Sequence, residues 1–300
     1  MNRKLFSWIS QLVKNSPGQT TIRSSSEIGL SVIEHYGYGR SQNNRLIFTA
    51  KDKNAIRLQI KRELNIDPFD TEQLPDSRVD IAEFHDNEKL AKNPVSQDHI
   101  LVNCPTGTVQ LNNQKIHLHS DIIPGVGFMP IASSINQISH DALVVVENLA
   151  IMQLCSQFTL PALCQNALWL YRGDHKSGAK AEACYDLLNR FGQDKEVIVF
   201  SDMDPKGLEI ALTIPHAKYW LGPEMTQWTR CLQSDYASRS GYDIQSKAMG
   251  YLLKLKEKRN LSITITDLIS QMQREQSSYR QEHMFAHHVT LSLFALLYNS

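Results

Sequence analysis

The stretch EVIVFSDMDPKG, residues 196–207, decides the reading of this chain. Val197 to Phe200 form a continuous apolar, largely β-branched run, as expected of a strand buried on both faces. The run stops at Ser201. Asp202, Asp204, Pro205 and Gly207 then make a strand-to-helix turn, with Pro205 at the first helical position. Two similar runs lie upstream, ALVVVE at 142–147 and ALWLY at 167–171, and KYWL follows at 218–221. Helical stretches separate them, notably AKAEACYDLLNRFG at 179–192 with its glycine stop. Strand and helix in alternation over 141–224 predict an α/β domain, a parallel sheet with helices on its faces.

Open parallel sheets bind ligands beyond the carboxyl ends of their strands. Two strands end there in acids: ALVVV leads into Glu147, and EVIVF leads into Asp202 and Asp204. If the strands are neighbours, three carboxylates converge. Alternate residues of an extended segment point the same way, so Asp202 and Asp204 can face one point. At an effective dielectric near 20, each like-charged pair at about 4 Å costs roughly 4 kcal/mol. A divalent cation relieves this, and oxygen ligands without Cys or His point to Mg²⁺ or Mn²⁺. The plain alternative is a turn in which Asp204-Pro205 merely starts a helix.

Composition sets the frame around that edge. The 300 residues are 42% hydrophobic and 21% charged, with 31 basic and 31 acidic side chains. This suits an ordinary globular protein and excludes a uniformly basic nucleic-acid packer. The charge is uneven, however. Residues 1–70 hold 11 basic and 6 acidic side chains. Within them, Arg40, Arg45, Lys51, Lys53, Arg57, Lys61 and Arg62 face only one acid, Asp52. A basic arm on an acidic body predicts contact with a polyanion, and these seven residues are the candidate DNA-binding set.

Apolar spacing at Leu5, Trp8, Ile9, Leu12 and Val13 predicts a first helix. SEIGLSVIEHYG, capped from Ser24–Ser26 and stopped at Gly37 and Gly39, predicts a second. KDKNAIRLQIKRELNI, capped by Thr49, predicts a third, with RLIFTA as a short strand before it. Residues 1–70 therefore read as a basic helical, winged-helix-like module. Residues 71–98 read as an acidic linker. Residues 99–140 read as a small β segment, with a turn at Asn112-Asn113 and two histidines, His117 and His119, on one strand face. Residues 141–300 read as the α/β domain with a helical tail.

No apolar run approaches the ~18 residues of a membrane span. The N-terminal MNRKLFSWISQLVKN reads as a helix and not as a signal peptide. Five cysteines with no Cys-x-x-Cys pair predict reduced, buried thiols in a cytoplasmic protein. Lys254, Lys256, Lys258 and Arg259 form a second basic run that ordinarily marks a solvated face.

The strand ending in Glu147, the loop after ALWLY and SDMDPKG together resemble the Toprim domain of topoisomerases, bacterial-type primases and several nucleases. SDMDPKG is closest to the Asp-x-Asp-Pro-x-Gly form of the topoisomerase VI A subunit. VEN followed by a hydrophobic helix resembles JetD of the Wadjet system and MksG of MksBEF condensin systems, and Arg280-Gln281-Glu282 is similar to a late Gln-Glu element in JetD-like chains. The resemblance implies a Toprim core and a metal-dependent endonuclease of an anti-plasmid defence system. Its substrate would be double-stranded DNA, its partners an SMC-type ATPase with a kleisin, and its usual state a homodimer. Glu147 would be the acid/base and metal residue, and Asp202 and Asp204 metal ligands. Glu282, or its rival Glu275, would complete a second position. Lys206 would neutralise a phosphate oxygen, against its ordinary reading as a solvated lysine. The rival implications are a tyrosine transesterase, with Tyr36 and Tyr38 the only tyrosines in the basic arm, and a docking subunit without catalysis.

Overall fold

In the computed structural model of the chain, the first amphipathic stretch is helix α1 (Arg3–Lys14), which buries Phe6, Ile9, Leu12 and Val13. The structure describes residues 1–69, 78–82, 90, 98–118, 127–174, 179–258 and 260–298. They fall into two units, Met1–Val95 and Ser96–Ser300.

In the first unit α1 is followed by β1 (Thr21–Ser24), α2 (Glu27–Tyr36), β2 (Arg40–Gln42), β3 (Arg45–Phe48), α3 (Ala50–Leu64) and α4 (Arg78–Ala82). Ser26 caps α2, and Gly37 ends it in the left-handed conformation at φ 72°. The Thr49 hydroxyl and Asp52 carboxylate form a reciprocal capping box at the start of α3. The three strands form an antiparallel sheet in the order β1-β3-β2. Only RLIF stood out as a strand in the sequence. TIRS and RSQ are short and polar, and become strands by pairing with it. Asn43 and Asn44, both at positive φ, close the β2–β3 hairpin. Ile81 and Leu90 are fully buried in this unit's core, so the acidic stretch 71–98 contributes to packing at those two positions. The rest of it, up to residue 97, lies almost wholly outside the described residues.

Two polar clusters tie this unit together. Lys53 is buried, and its Nζ donates to Asn15 O at 2.9 Å, Ser16 O at 2.6 Å and Thr21 Oγ1 at 2.9 Å. Asp67 accepts two 2.8 Å bonds from the Arg57 guanidinium and one of 3.3 Å from Lys61.

The second unit opens with β4 (Val102–Asn103), β5 (Thr108–Leu111) and β6 (Gln114–His117). Then come β7 (Ala142–Val146), α5 (Leu149–Gln153), α6 (Ala162–Gln165), β8 (Leu168–Tyr171), α7 (Ala181–Phe191) and β9 (Glu196–Phe200). It continues with α8 (Pro205–Thr213), β10 (Ala217–Pro223), α9 (Trp228–Leu232), α10 (Arg239–Asp243), α11 (Ser246–Lys258) and α12 (Ile263–Glu275). α13 (Gln281–Ala286) and β11 (Leu291–Ala295) close it. One six-stranded sheet runs β11-β10-β9-β7-β8-β4. The four inner strands are mutually parallel, and β4 and β11 pair antiparallel at the edges. This is a mixed α/β fold whose core is the apolar strands themselves: β7 and β8 are buried at every position.

Two expectations change. Val102–Asn103 joins the main sheet and not a separate β segment, while β5 and β6 do form the hairpin over Asn112-Asn113. The tail is not wholly helical, because LSLFA is an edge strand on β10. A five-residue apolar run has no periodicity that separates strand from helix. His119 and the first half of IIPGVGFMPI lie outside the described residues. No helix among the described residues is long and apolar enough to cross a membrane.

The Asp67 cluster yields a stability prediction. The Arg57 bonds, with help from Lys61, hold its carboxyl well below the usual carboxylate range against partial burial. A carboxyl depressed in this way contributes stability that is complete above its unfolded pKa and lost as pH falls through the folded value. Asp67→Asn should therefore lower unfolding stability at pH 7 by about 1–3 kcal/mol, less than a fully buried pair because Arg57 is partly solvated. Its urea midpoint should also change less between pH 5 and pH 2 than the wild type's. Equal midpoints at pH 7 would contradict the assignment.

Candidate functional site

From β7 the chain passes to β8 on one side, returns across β7 to β9 on the other, and continues to β10. The strand order reverses between β7 and β9, and such a switch point opens a crevice beyond the carboxyl ends. Val146 is in register with Phe200, and the Glu147 N–H donates to Phe200 O at 3.1 Å. Glu147 and Asp202 therefore leave neighbouring strands at the crevice.

The turn that carries Asp202 is tightly built. Ser201 is fully buried; its Oγ donates to Gly207 O at 2.9 Å and accepts from Trp220 Nε1 at 3.1 Å. A Cβ on Gly207 would stand 2.2 Å from the Asp202 carbonyl oxygen, so only glycine allows this approach. Asp204 caps α8: its Oδ1 accepts from the Gly207 N–H at 2.6 Å, and its Oδ2 accepts from Gln245 Nε2 at 2.7 Å. The helix-start reading of Asp204-Pro205 is thus realised, and Asp204 has both carboxylate oxygens engaged.

A distant segment closes the site. Met203 and Tyr279 exchange backbone bonds of 2.9 and 3.0 Å, which lays the start of α13 beside the turn. The Gln281 N–H then donates to Asp202 Oδ1 at 2.8 Å. Asn148 Nδ2 donates to Glu282 Oε1 at 2.5 Å, while Asn148 Oδ1 caps α5 through Ala150. Of the two tail acids, Glu282 stands with the site. Glu275 instead bonds Gln233 and Arg274.

The electrostatics follow from this crowding. Burial first, and Asp204 second, raise the Glu147 carboxyl above its ordinary value, with Arg172, the Asp202 N–H and Lys206 opposing. Burial pushes Asp202 up to about 8; Glu147, Asp204 and Glu282 add to the rise and the Gln281 N–H opposes it. Glu147 Oε2, Arg172 Nε and both side-chain amide atoms of Gln281 are buried without a hydrogen-bond partner. Arg172 follows β8, with its N–H on Val146 O at 2.9 Å. Ser201, Asn148 and Gln281 lie inside the stretches SDMDPKG, VEN and Arg280-Gln281-Glu282, but the sequence assigns neither them nor Arg172 a role, because their contacts are made across the fold.

The remaining candidates are placed as follows. Lys206 is exposed and pairs with Glu209 at 2.8 Å. Arg40, Arg45, Lys51 and Arg62 are exposed on the first unit. Arg57 and Lys61 are tied to Asp67. Lys53 has three acceptors for its three ammonium protons and presents none to a phosphate, which corrects its place in the DNA-binding set. His117 Nδ1 lies 3.0 Å from Thr108 Oγ1 across the hairpin.

Among the described residues, no group of three or more His, Cys, Asp or Glu side chains is arranged to hold a metal ion. The residues nonetheless fit a hard divalent cation in donor type and charge. They offer carboxylate oxygens that repel one another, and Glu147 Oε2 is buried and unpartnered. Asp202→Asn keeps an acceptor for the Gln281 N–H and removes one repelling charge. In chelating buffer it should melt no lower than wild type, with a gain of about 1–2 kcal/mol. Mn²⁺ should raise the wild-type melting point and leave the variant unmoved. A variant several degrees less stable in chelator would contradict the coupled carboxylates.

A family model described as a domain of unknown function, DUF7281, matches residues 97–293. No curated protein matches the chain. The matched span contains Glu147, Asp202, Asp204 and Glu282, together with nearly all of the six-stranded sheet. With well over half of its length inside that match, the chain belongs to the DUF7281 family.

Proposed function

We propose that this protein is a metal-dependent DNA endonuclease that hydrolyses phosphodiester bonds at the β7–β9 crevice. One observation carries the reading: Glu147 and Asp202 leave adjacent parallel strands at the switch point, are largely buried, and both hold their protons more tightly than usual, Glu147 through burial and Asp204, Asp202 through burial and Glu147. A buried pair of this kind, beside an arginine, marks a functional site more than a structural one. Glu147, Asp202 and Asp204 would hold Mg²⁺ or Mn²⁺, with Glu282 at a second position. Bound there, the cation would supply Lewis-acid activation of water and charge stabilisation at the leaving oxygen.

The chain's own residues do the rest. The Gln281 N–H orients Asp202, and Asn148 orients Glu282. Arg172 sets a positive charge near Glu147, where it would draw a phosphate oxygen to the carboxylate edge. Gln245 is the one side chain that must release Asp204 Oδ2 for that oxygen to serve as a ligand.

The likeness of SDMDPKG, VEN and Arg280-Gln281-Glu282 to Toprim nuclease subunits of the JetD and MksG kind supports the wider proposal. In it, double-stranded plasmid DNA is the substrate, an SMC-type ATPase with a kleisin is the partner, and a homodimer cuts both strands. Tyrosine transesterification is disfavoured. Tyr36 is buried, its hydroxyl donates to Glu63, and burial together with Glu63 makes its phenol harder to ionise. A second reading, a DNA-docking subunit without cleavage, draws on Asp204, whose Oδ1 caps α8 and whose Oδ2 is held by Gln245.

Plasmid linearisation in Mg²⁺ or Mn²⁺, with the partner complex added, tests the choice. Wild type should cut and leave free ends. Asp202→Ala and Glu147→Gln should lose at least about a hundredfold in rate with circular dichroism unchanged. Undiminished cutting by either variant sinks the metal site, and DNA binding without cutting by wild type favours docking. The exposed cations have their own signature. Log affinity falls with log salt at about −0.9 per phosphate contact, so replacing Arg40, Arg45 and Lys51 with Gln should flatten the slope by up to ~3 units. Lys53→Met should leave the slope alone and cost stability. An unchanged slope in the triple variant means that these side chains face only solvent.

A further inference from the structure

Between α9 and the residues that flank α13 lies a cavity of opposite character. It has a volume of about 500 Å³ and is lined among others by Arg230, Ser234, Tyr236, Tyr279, His287 and His288; no carboxylate lines it among the described residues. The volume falls within the range of small-molecule sites, about 300–1,000 Å³. Its wall is a set of flat rings. Tyr236 lies 4.1 Å from His287 between centroids and 5.9 Å from His283, and Tyr279 lies 5.7 Å from His283. Tyr236 is 55% exposed, so much of its ring still faces outward. Arg230 is exposed on α9 and makes no ion pair among the described residues.

Flat aromatic surface, an unpaired guanidinium and neutral polar edges at Gln227, Ser234 and Thr290 are the parts that recognise a planar heterocycle joined to an anion. We infer that this cavity binds a nucleotide, its base stacked on Tyr236 and its phosphate held by Arg230. The chemistry is sequence-tolerant, because every base offers a π-face, and a guanidinium matches phosphate geometry. Two sources share this chemistry, an unpaired nucleotide of a DNA strand and a free mononucleotide. The strand source rests on the endonuclease reading. Gln281 and Glu282 of the acid site open α13 and His287 of the cavity caps its end, so a strand crossing the carboxylates would offer a neighbouring unpaired base to the rings.

The test uses the full chain in EDTA, where nothing is cut. Four probes are compared: dAMP, deoxyadenosine, a blunt duplex, and the same duplex with a 5′-phosphorylated single-stranded extension. Wild type should bind dAMP more tightly than deoxyadenosine. Tyr236→Ala should weaken dAMP binding roughly tenfold or more, and Tyr236→Phe should retain it. Arg230→Gln should abolish the advantage of dAMP over deoxyadenosine. Both positions are exposed, so folding is not at stake, and circular dichroism checks it. A Tyr236-dependent preference for the extended duplex assigns the site to the strand; Tyr236-dependent binding of dAMP alone assigns it to a free nucleotide. Absence of binding by both dAMP and the extension at millimolar concentration, or binding indifferent to Tyr236→Ala, overturns the inference. Failure of the endonuclease reading would show separately, as plasmid cutting that is absent in wild type or retained by Asp202→Ala.

Discussion

Two carboxylates held at the ends of adjacent apolar strands, where water is mostly excluded, set the terms for the second unit. Glu147 and Asp202 cannot both ionise there without cost, and the surrounding structure is organised to hold them in place. Ser201 pins the turn from beneath, Gly207 lets the backbone double back on the Asp202 carbonyl, and the Met203–Tyr279 pairing brings α13 over the crevice. Each of these contacts is local, yet together they link β9, β10 and the C-terminal helices around one point. The counter-charges in reach are few. Arg172, a backbone N–H and Lys206 stand against Glu147, and the Gln281 N–H stands against Asp202. The negative potential left over is what a cation would complete.

The sheet was legible because its strands are short, apolar and separated by amphipathic helices, and a pattern of that kind leaves little freedom. The parallel order and the switch point also put Glu147 beside Asp202, as the strand-end acids suggested. Edge strands were harder to read. Val102–Asn103 is two residues long, LSLFA lies in a helical tail, and TIRS and RSQ carry too few apolar side chains. Such segments take their conformation from a partner strand, so their own sequence says little. The same holds for the supporting site residues. Ser201, Asn148, Arg172 and Gln281 matter through contacts made across the fold, one of them 134 residues apart in sequence.

Charge in the first unit shows how counting differs from placement. Seven cations between Arg40 and Arg62 looked equivalent in the sequence. Lys53 is an internal strut between α3 and the end of α1, and Arg57 and Lys61 anchor the segment after α3 through Asp67. Arg40, Arg45, Lys51 and Arg62 retain exposed charge. A local net charge marks a region for polyanion contact, but only burial and partners decide which members reach a phosphate.

The central claim, that the crevice carboxylates are coupled and, as proposed, bind a cation, is open to direct observation by carbon-13 NMR of selectively labelled aspartate carboxyls. In chelator, one aspartate should titrate near the value of about 8 that burial and its neighbours impose on Asp202. That resonance should vanish in Asp202→Asn. Saturating Mg²⁺ should shift its midpoint down by several units, because the bound charge favours the ionised form. An aspartate set that titrates entirely in the ordinary range near 4, unmoved by Mg²⁺, would contradict the account.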